Sequence, residues 1–323
     1  MKNKPICYTP DRIIPEIYSG VPTFMGLPKI ENKDGLMQSD VVIMGVPWEG
    51  VCTWGGFSGC EMSPKTIRNA SVRYGGFLPE YDIDVFDYLS GGDFGDTVVQ
   101  NGNQDFSFAM MQEKFRTIID AGKMPVTFGG DHSISYPLIS EFAKKHKKKV
   151  GIIHFDAHMD NVASFGEEKF ARCSPFYRLY EDENIDAAKL VHFGIRGPRN
   201  HPDVLKSARK FGATVMTALE IKRMGIESAI EKAIKIASDG TDAIYITVCS
   251  DVLDVANNPA GPPDPCGLTS FEMACALNAC GKAKVKAYDF VELYPNQDPN
   301  NVSSHLAVWL VLHLLAGTAE QKK

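Results

Sequence analysis

The feature that most constrains the fold of this chain is a regular alternation of short apolar runs with longer helical patterns. The apolar runs are rich in β-branched residues and apolar throughout, as expected for strands buried on both faces of a sheet. They lie at 41–46, 124–128, 150–155, 190–195, 243–248 and 285–290. The helical patterns lie at 106–121, 136–146, 202–211, 225–238, 270–280 and 302–315. Repeated strand–helix units predict an α/β fold with a parallel sheet covered by helices on both faces.

Length and composition are consistent with one globular domain spanning residues 1–323. Hydrophobic residues make up 44% and charged residues 23% of the chain, which excludes an intrinsically disordered protein. The formal net charge of −6 disfavours binding to nucleic acid or to an anionic membrane. Residues 1–10 are polar, so no secretory signal is expected. No run of 18 apolar residues is present, and the run at 306–315 is interpreted as a buried helix.

The eight cysteines are scattered and none forms a Cys-x-x-Cys pair. In a chain of this length they are interpreted as reduced thiols, so a cytoplasmic location is expected.

Metal-ligating residue types follow the predicted strands. In parallel α/β sheets functional sites lie at the carboxyl ends of strands. The strand at 124–128 is followed by Gly129 and Gly130, which permit a sharp turn, and then by His132. The strand at 150–155 is followed by Asp156, His158 and Asp160. In an extended segment these three side chains share one face, where two unpaired carboxylates would be costly to bury.

A divalent cation would remove that cost, and carboxylate with imidazole suits Mn, Zn, Ni or Fe. The alternative is a cluster of caps and salt bridges. The strand at 243–248 adds Cys249 and Asp251, again two residues apart. The candidate metal ligands are His132, Asp156, His158, Asp160, Cys249 and Asp251. Six donors exceed the needs of one ion with an open position, so they predict two ions that share bridging ligands.

These motifs resemble the signature motifs of the ureohydrolases, the family of arginase and agmatinase. The resemblance rests on Gly-Gly-Asp-His-Ser at 129–133, Asp-Ala-His-Met-Asp at 156–160 and the motif around Asp251. Further matching segments run through nearly the whole chain: 45–47, 63–68, 81–83, 93–96, 193–197, 267–269 and 292–298. The layout is most similar to the agmatinase branch.

The resemblance implies a three-layer α/β/α sandwich around a mostly parallel eight-stranded sheet, and a homo-oligomer, usually a trimer or hexamer. It implies a binuclear Mn²⁺ centre and a small cationic guanidino substrate, hydrolysed at its amidino C–N bond to release urea. One ion would be held by His132, Asp156, Asp160 and residue 249, the other by His158, Asp156, Asp251 and residue 249. By position Glu292 is the acid that receives the substrate guanidinium, and the catalytic residues are expected to be Asp156, Glu292 and Arg172.

The chain departs from the family pattern at two positions. Cys249 stands where the family has a bridging Asp. A thiolate there would keep the charge but favour Zn or Fe, whereas a neutral thiol would leave one ion weakened or absent. Arg172 stands where the family has a His implicated in proton transfer, and an arginine stays protonated at neutral pH. Arg172 either binds a substrate carboxylate, which would disfavour agmatine, or is a solvent-facing loop residue.

Two classes of function therefore follow from the sequence. The first is a metal-dependent, agmatinase-like hydrolase. The second is a metal-poor homologue that acts as a binding protein, or on another guanidino or formimino substrate, since Cys249 and Arg172 each remove a chemical role. The segment 257–265 contains four prolines (Pro259, Pro262, Pro263 and Pro265) and is predicted to be a rigid loop over the rim of the site.

Overall fold

The computed structural model describes residues 20–51, 58–147 and 149–323. Its main sheet has eight strands: β1 (Val41–Val46), β4 (Gly91–Asp96), β5 (Met124–Gly129), β6 (Val150–Phe155), β7 (Leu190–Ile195), β8 (Thr214–Thr217), β9 (Ala243–Cys249) and β10 (Val285–Val291). The strand order is β4-β1-β5-β10-β9-β6-β7-β8, and every neighbouring pair is parallel. A small antiparallel pair, β2 (Phe77–Leu78) and β3 (Ile83–Asp84), lies apart from it.

Helices cover both faces of this sheet. In chain order the described α-helices are α1 (Lys33–Met37), α2 (Ser63–Ser71), α3 (Val85–Tyr88), α4 (Gln104–Asp120), α5 (Ser135–Lys145), α6 (Pro175–Glu181), α7 (Pro202–Phe211), α8 (Ala218–Met224), α9 (Ile226–Ser238), α10 (Ser270–Gly281) and α11 (Val302–Glu320). The six helices predicted from the pattern are all present, although α11 runs five residues beyond its predicted end at 315.

Two apolar clusters, one on each face, fill the space between sheet and helices. Successive residues of a strand alternate between them: Val41 and Ile43 belong to one cluster, Val42 and Met44 to the other. The first cluster takes its helical residues mainly from α2, α9, α10 and α11, the second from α4, α5, α6 and α7. This arrangement confirms the expected three-layer α/β/α sandwich.

Helix α11 carries the longest apolar stretch in the described part of the chain. Its length and apolar composition alone would allow it to cross a membrane, but 72% of its 18-residue apolar stretch is buried inside the protein. It packs against α10 and α2, so it has the character of a core helix, as the sequence predicted for 306–315.

The four central strands place the candidate residues at one edge of the sheet. His132 follows β5, Glu292 follows β10, Asp251 follows β9 and Asp156 follows β6. Because β5, β10, β9 and β6 are consecutive neighbours in the sheet, residues far apart in sequence meet at their carboxyl ends.

Candidate metal centre

A cavity of about 220 Å³ opens at this edge of the sheet. The predicted residues that line it are His158, Asp160, Arg172, Cys249, Asp251 and Glu292. His132 and Asp156 lie beneath them and are completely buried. The structure therefore brings all of the predicted site residues to one place, and their catalytic and ligating roles stay predictions.

A first group of donor atoms surrounds the Nδ1 atom of His132. This nitrogen lies 2.9 Å from Asp160 Oδ2 and 3.1 Å from Asp156 Oδ2. It is buried, yet it has no hydrogen-bond partner among the described residues. The other ring nitrogen, Nε2, lies 3.1 Å from the hydroxyl of Thr247, which fixes the ring. A buried imidazole nitrogen left without a partner beside two carboxylates is what a divalent cation needs.

A second group lies on the other side of Asp156. The Nδ1 atom of His158 is 3.0 Å from Asp251 Oδ2 and 3.4 Å from Asp156 Oδ1. Donor atoms of His158, Asp156 and Asp251 all lie within 4.8 Å of one another, and Asp251 Oδ2 has no hydrogen-bond partner in the described chain. Asp156 Oδ2 faces the first group and Oδ1 the second, so this carboxylate would contribute a donor atom to each group if metal were bound.

Three carboxylates share this buried space. Burial and the neighbouring Asp156 carboxylate raise the pKa of Asp160 to about 6, and the same two causes raise the pKa of Asp251. Burial also opposes ionisation of Asp156, but His154, His132 and His158 outweigh it and hold its pKa well below the ordinary value. Burial acts against a charged His132 too, yet Asp156 and Asp160 prevail and raise its pKa. The donors fit a bound cation, whose charge would stabilise all three carboxylates.

The structure adds His154, a residue that the sequence argument missed. Its Nε2 lies 2.8 Å from Asp156 Oδ2, and its Nδ1 lies 2.8 Å from His192 Nδ1. Tyr180 in turn contacts His192 Nε2 at 2.5 Å. This buried chain of contacts orients the Asp156 carboxylate. The sequence feature that could have revealed it is a histidine within an apolar strand, two positions before Asp156.

A second missed residue is Asp264, in the proline-rich segment. Its Oδ2 lies 3.3 Å from His158 Nε2, and its carboxylate pairs with Arg199. Pro262 lines the cavity, so the segment reaches the rim as predicted. The sequence carried no pattern that would join position 264 to His158.

The local backbone conformation differs in two respects from what the sequence predicted. Gly130 has no left-handed conformation, but a Cβ there would lie 1.7 Å from the carbonyl oxygen of Trp48, so close approach requires the glycine. The segment after β6 is not extended: it bends directly, and Asp160 has a φ of 39°. Asp156, His158 and Asp160 therefore converge through a bend rather than along one face of a strand.

Cys249 is the last residue of β9 and is buried at the cavity wall. Burial raises the pKa of its thiol well above the ordinary value, and Asp156, Asp251, Glu292 and Asp160 raise it further. Without a nearby cation this side chain is therefore a neutral thiol. Whether it ligates a metal stays a prediction.

Arg172 is not the solvent-facing loop residue that was one of its two interpretations. It is only 4% exposed, because its guanidinium lies among carboxylates. Its Nη1 donates to Glu292 Oε2 at 3.0 Å and its Nη2 to Glu49 Oε1 at 3.0 Å. Glu292 itself has a φ of 60°, an unusual conformation for a non-glycine residue that often marks functional sites.

The comparison with known proteins agrees with this geometry. The model of the arginase family matches residues 39–317. The chain belongs to the arginase family.

Relatives within this family carry different names. Guanidinopropionase from Pseudomonas aeruginosa is 29% identical, with 94% of this chain and 93% of that protein covered. Agmatinase from Chromobacterium violaceum is also 29% identical, covering 94% and 90%. Among solved structures, proclavaminate amidinohydrolase from Streptomyces clavuligerus superposes with a TM-score of 0.85 at 29% identity, covering 94% of this chain and 98% of that one. The resemblance read from the motifs is thus confirmed.

Proposed function

We propose that this chain is a metal-dependent hydrolase that cleaves the amidino C–N bond of a guanidino compound and releases urea. The observation that carries the proposal is the pair of donor groups that share Asp156 at the floor of the cavity. The curated relatives named above, by their names, act on guanidino compounds or amidino groups.

The residues that would hold the metal follow from the two groups. His132, Asp156 and Asp160 would hold one ion, and His158, Asp156 and Asp251 the other, with Cys249 as the candidate shared ligand. Mn²⁺ is the expected metal from the family resemblance. A bound pair of divalent ions supplies Lewis acidity, which generates a nucleophile from water near neutral pH.

The chain's own residues position the reaction. Asp156 is held by His154, and His132 by Thr247, so the donors are oriented before a metal binds. In the reaction a C–O bond forms, the C–N bond breaks, and the amine leaves with a proton. Glu292 is the acid expected to receive the guanidinium, and burial raises its pKa to about 7 against the opposing effect of Arg172. Arg172 stays protonated, so it cannot serve as the proton shuttle.

The first experiment measures urea release by Mn²⁺-loaded protein. The panel is agmatine, arginine, guanidinobutyrate, guanidinopropionate and guanidine, and the compound that is hydrolysed fastest identifies the substrate. Metal-free protein and Asp156→Asn serve as matched controls, because each lacks the bridged centre. Urea release from one compound, absent in both controls, supports the proposal. Metal-loaded protein that releases urea from none of the five contradicts it.

A second candidate function is a binding protein that has lost turnover. The features that favour it are Cys249, whose thiol pKa is raised by burial, and the Arg172–Glu292 pair. Elemental analysis separates the two functions, since two tightly held ions per chain argue against a metal-poor homologue. Cys249→Asp tests the same point: urea from this variant alone would assign the loss to Cys249. We also expect a homo-oligomer, which the native mass in solution would test.

A further inference from the structure

At the wall of the cavity and behind it lies a set of acidic and phenolic groups that already binds a guanidinium. We call Glu49, Asp131, Glu292 and Tyr294 the guanidinium cradle. Arg172 occupies it: Nη1 lies 3.0 Å from Glu292 Oε2 and 3.4 Å from the Tyr294 hydroxyl. Its Nη2 lies 3.0 Å from Glu49 Oε1 and 3.7 Å from Asp131 Oδ2. The two Nη atoms thus donate to different carboxylates, and such charge-assisted hydrogen bonds are among the stronger ones in proteins.

Glu292 has little capacity left for a second guanidinium. Its Oε1 accepts from the backbone N–H of His132 at 2.8 Å. Its Oε2 accepts from the Tyr294 hydroxyl at 2.5 Å and from Arg172 at 3.0 Å. Glu292 is only 3% exposed, and three donors already use most of the roughly four acceptor sites of its carboxylate, so a guanidinium that donates two hydrogen bonds must displace one of them. Arg172 is the one of these donors that combines a flexible side chain with a place in the cavity wall.

Charge alone does not prevent a second cation from binding in the guanidinium cradle. Its three carboxylates exceed the single positive charge of Arg172, and burial of Arg172 is more than offset by Glu292 and Asp131, which raise its pKa. A second cation is therefore attracted to this region, but the position beside Glu292 is filled by like charge. Whether a substrate guanidinium can pair with Glu292 therefore depends on whether Arg172 occupies that carboxylate, rather than on the net charge of the guanidinium cradle.

We propose that Arg172 is a resident guanidinium that competes with the substrate for Glu292 and so sets the affinity of this chain for guanidino compounds. The inference rests on the proposed function and names a specificity-determining residue for it. Binding requires Arg172 to leave Glu292, while Glu49 and Asp131 can keep its charge paired. The apparent affinity is then the intrinsic affinity multiplied by the small fraction of molecules in which Glu292 is accessible.

Arg199 offers a matched control. It also lines the cavity, but its guanidinium pairs with Asp264 rather than with Glu292. Removing either arginine takes one positive charge from the cavity wall. Only removal of Arg172 makes Glu292 accessible, so the pair of variants separates occupancy from a general change in charge.

The experiment uses the guanidinium ion itself as the probe, at millimolar concentrations well below those that denature proteins. Binding to the metal-free full chain is measured by calorimetry and by thermal shift, against NaCl at equal ionic strength. We expect Arg172→Ala to bind guanidinium roughly ten-fold tighter or more than the unmodified chain. Arg199→Ala should bind like the unmodified chain, and Glu292→Gln in the Arg172→Ala background should lose the gain. Equal binding by Arg172→Ala and the unmodified chain, or an equal gain in Arg199→Ala, overturns the inference.

Arg172→Gln keeps the experiment decisive if the alanine variant does not fold. Glutamine can still donate a hydrogen bond to Glu292 but carries no charge, so tighter guanidinium binding is again expected. With Mn²⁺ and a turned-over substrate, the same variant should lower KM more than it changes kcat. Tighter binding without urea release would contradict the proposed function alone. Urea release by the unmodified chain, with a raised KM in Arg172→Gln, would contradict this inference alone.

Discussion

Position 249 is a place where one side chain would alter the proposed metal centre without altering the fold. Cys249 ends β9 as part of the apolar cluster between the sheet and α4–α7, and its buried thiol is surrounded by acids that keep it protonated. A carboxylate there is a harder ligand and ionises more readily, so it suits Mn²⁺ better.

We therefore expect Cys249→Asp to bind Mn²⁺ at least about ten-fold tighter than the unmodified chain, an order of magnitude typical of changes near a metal. Titration followed by electron paramagnetic resonance measures both affinity and the number of ions. Cys173→Ser is the control, because this cysteine also lines the cavity but does not end a central strand. Unchanged Mn²⁺ binding in Cys249→Asp would mean that position 249 lies outside the coordination sphere.

Glu61 is a single residue that is expected to make the stability of the protein depend on pH. Burial, together with the hydrogen-bonded Glu49 carboxylate, raises its pKa from 4.5 to about 6. Its contribution to stability is thus complete below about pH 4.5 and is lost as the pH rises through 6. We expect Glu61→Gln, which stays neutral, to flatten the fall in melting temperature between pH 4.5 and 6.5, measured at fixed metal content. The exposed Glu113→Gln should keep the slope of the unmodified chain, and an unchanged slope in Glu61→Gln contradicts the prediction.

Most of the site residues could be predicted from the sequence, but two of their supports could not. His132, Asp156, His158, Asp160, Cys249 and Asp251 stood out because polar donors directly follow apolar runs. His154 was concealed because it lies inside such a run and contacts Asp156 only in three dimensions. Asp264 reaches His158 through the path of a loop, and loop paths depend on tertiary contacts that no local pattern encodes.

At the scale of elements, the buried strands were predictable and the edge strands were not. All six predicted apolar runs end within one residue of the observed strands, and β1, β6 and β7 match at both ends. The edge strand β4 reads Gly-Gly-Asp-Phe-Gly-Asp, and β8 is only four residues long and half-buried. An edge strand has one neighbour and is less buried, so its sequence need not be apolar.

The loops around the centre depend on Arg196, which follows β7. Its guanidinium donates to the carbonyl oxygens of Asp251 at 2.6 Å, Asp264 at 2.8 Å and Pro265 at 2.9 Å. It thereby ties the start of the 250–268 loop to its far end. Removing this cation leaves several inward-facing carbonyls without a donor.

We expect Arg196→Ala to lower the free energy of unfolding by about 3 kcal/mol and to weaken Mn²⁺ binding, because Asp251 loses its support. Urea denaturation of the metal-free chain and a Mn²⁺ titration measure the two effects. Arg116→Ala is the control: it breaks a half-exposed pair with Glu141 and should cost about 1 kcal/mol or less. Equal effects of the two variants would show that Arg196 is not a support of these loops.

At the scale of the whole molecule, the centre joins the four central strands, so metal content should govern stability. Asp156, Asp160 and Asp251 converge in buried space, and in the metal-free chain burial and mutual repulsion raise the pKa of Asp160 and of Asp251. A ligand present at about 100 times its Kd stabilises the native state by about 2.7 kcal/mol for each site. In a protein of this size that corresponds to roughly 5 °C for each site.

Removal of metal with a chelator should therefore lower the melting temperature by roughly 5 °C for each ion lost, and added Mn²⁺ should restore it. Asp156→Asn removes the bridge between the two donor groups, so its melting temperature should no longer respond to Mn²⁺. His158→Ala disturbs only the second group and should keep about half of the response. In the metal-free state Asp160→Asn should melt above the unmodified chain, because the substitution removes one buried negative charge beside Asp156. A melting temperature indifferent to Mn²⁺ in the unmodified chain would show that these carboxylates meet for a reason other than holding metal.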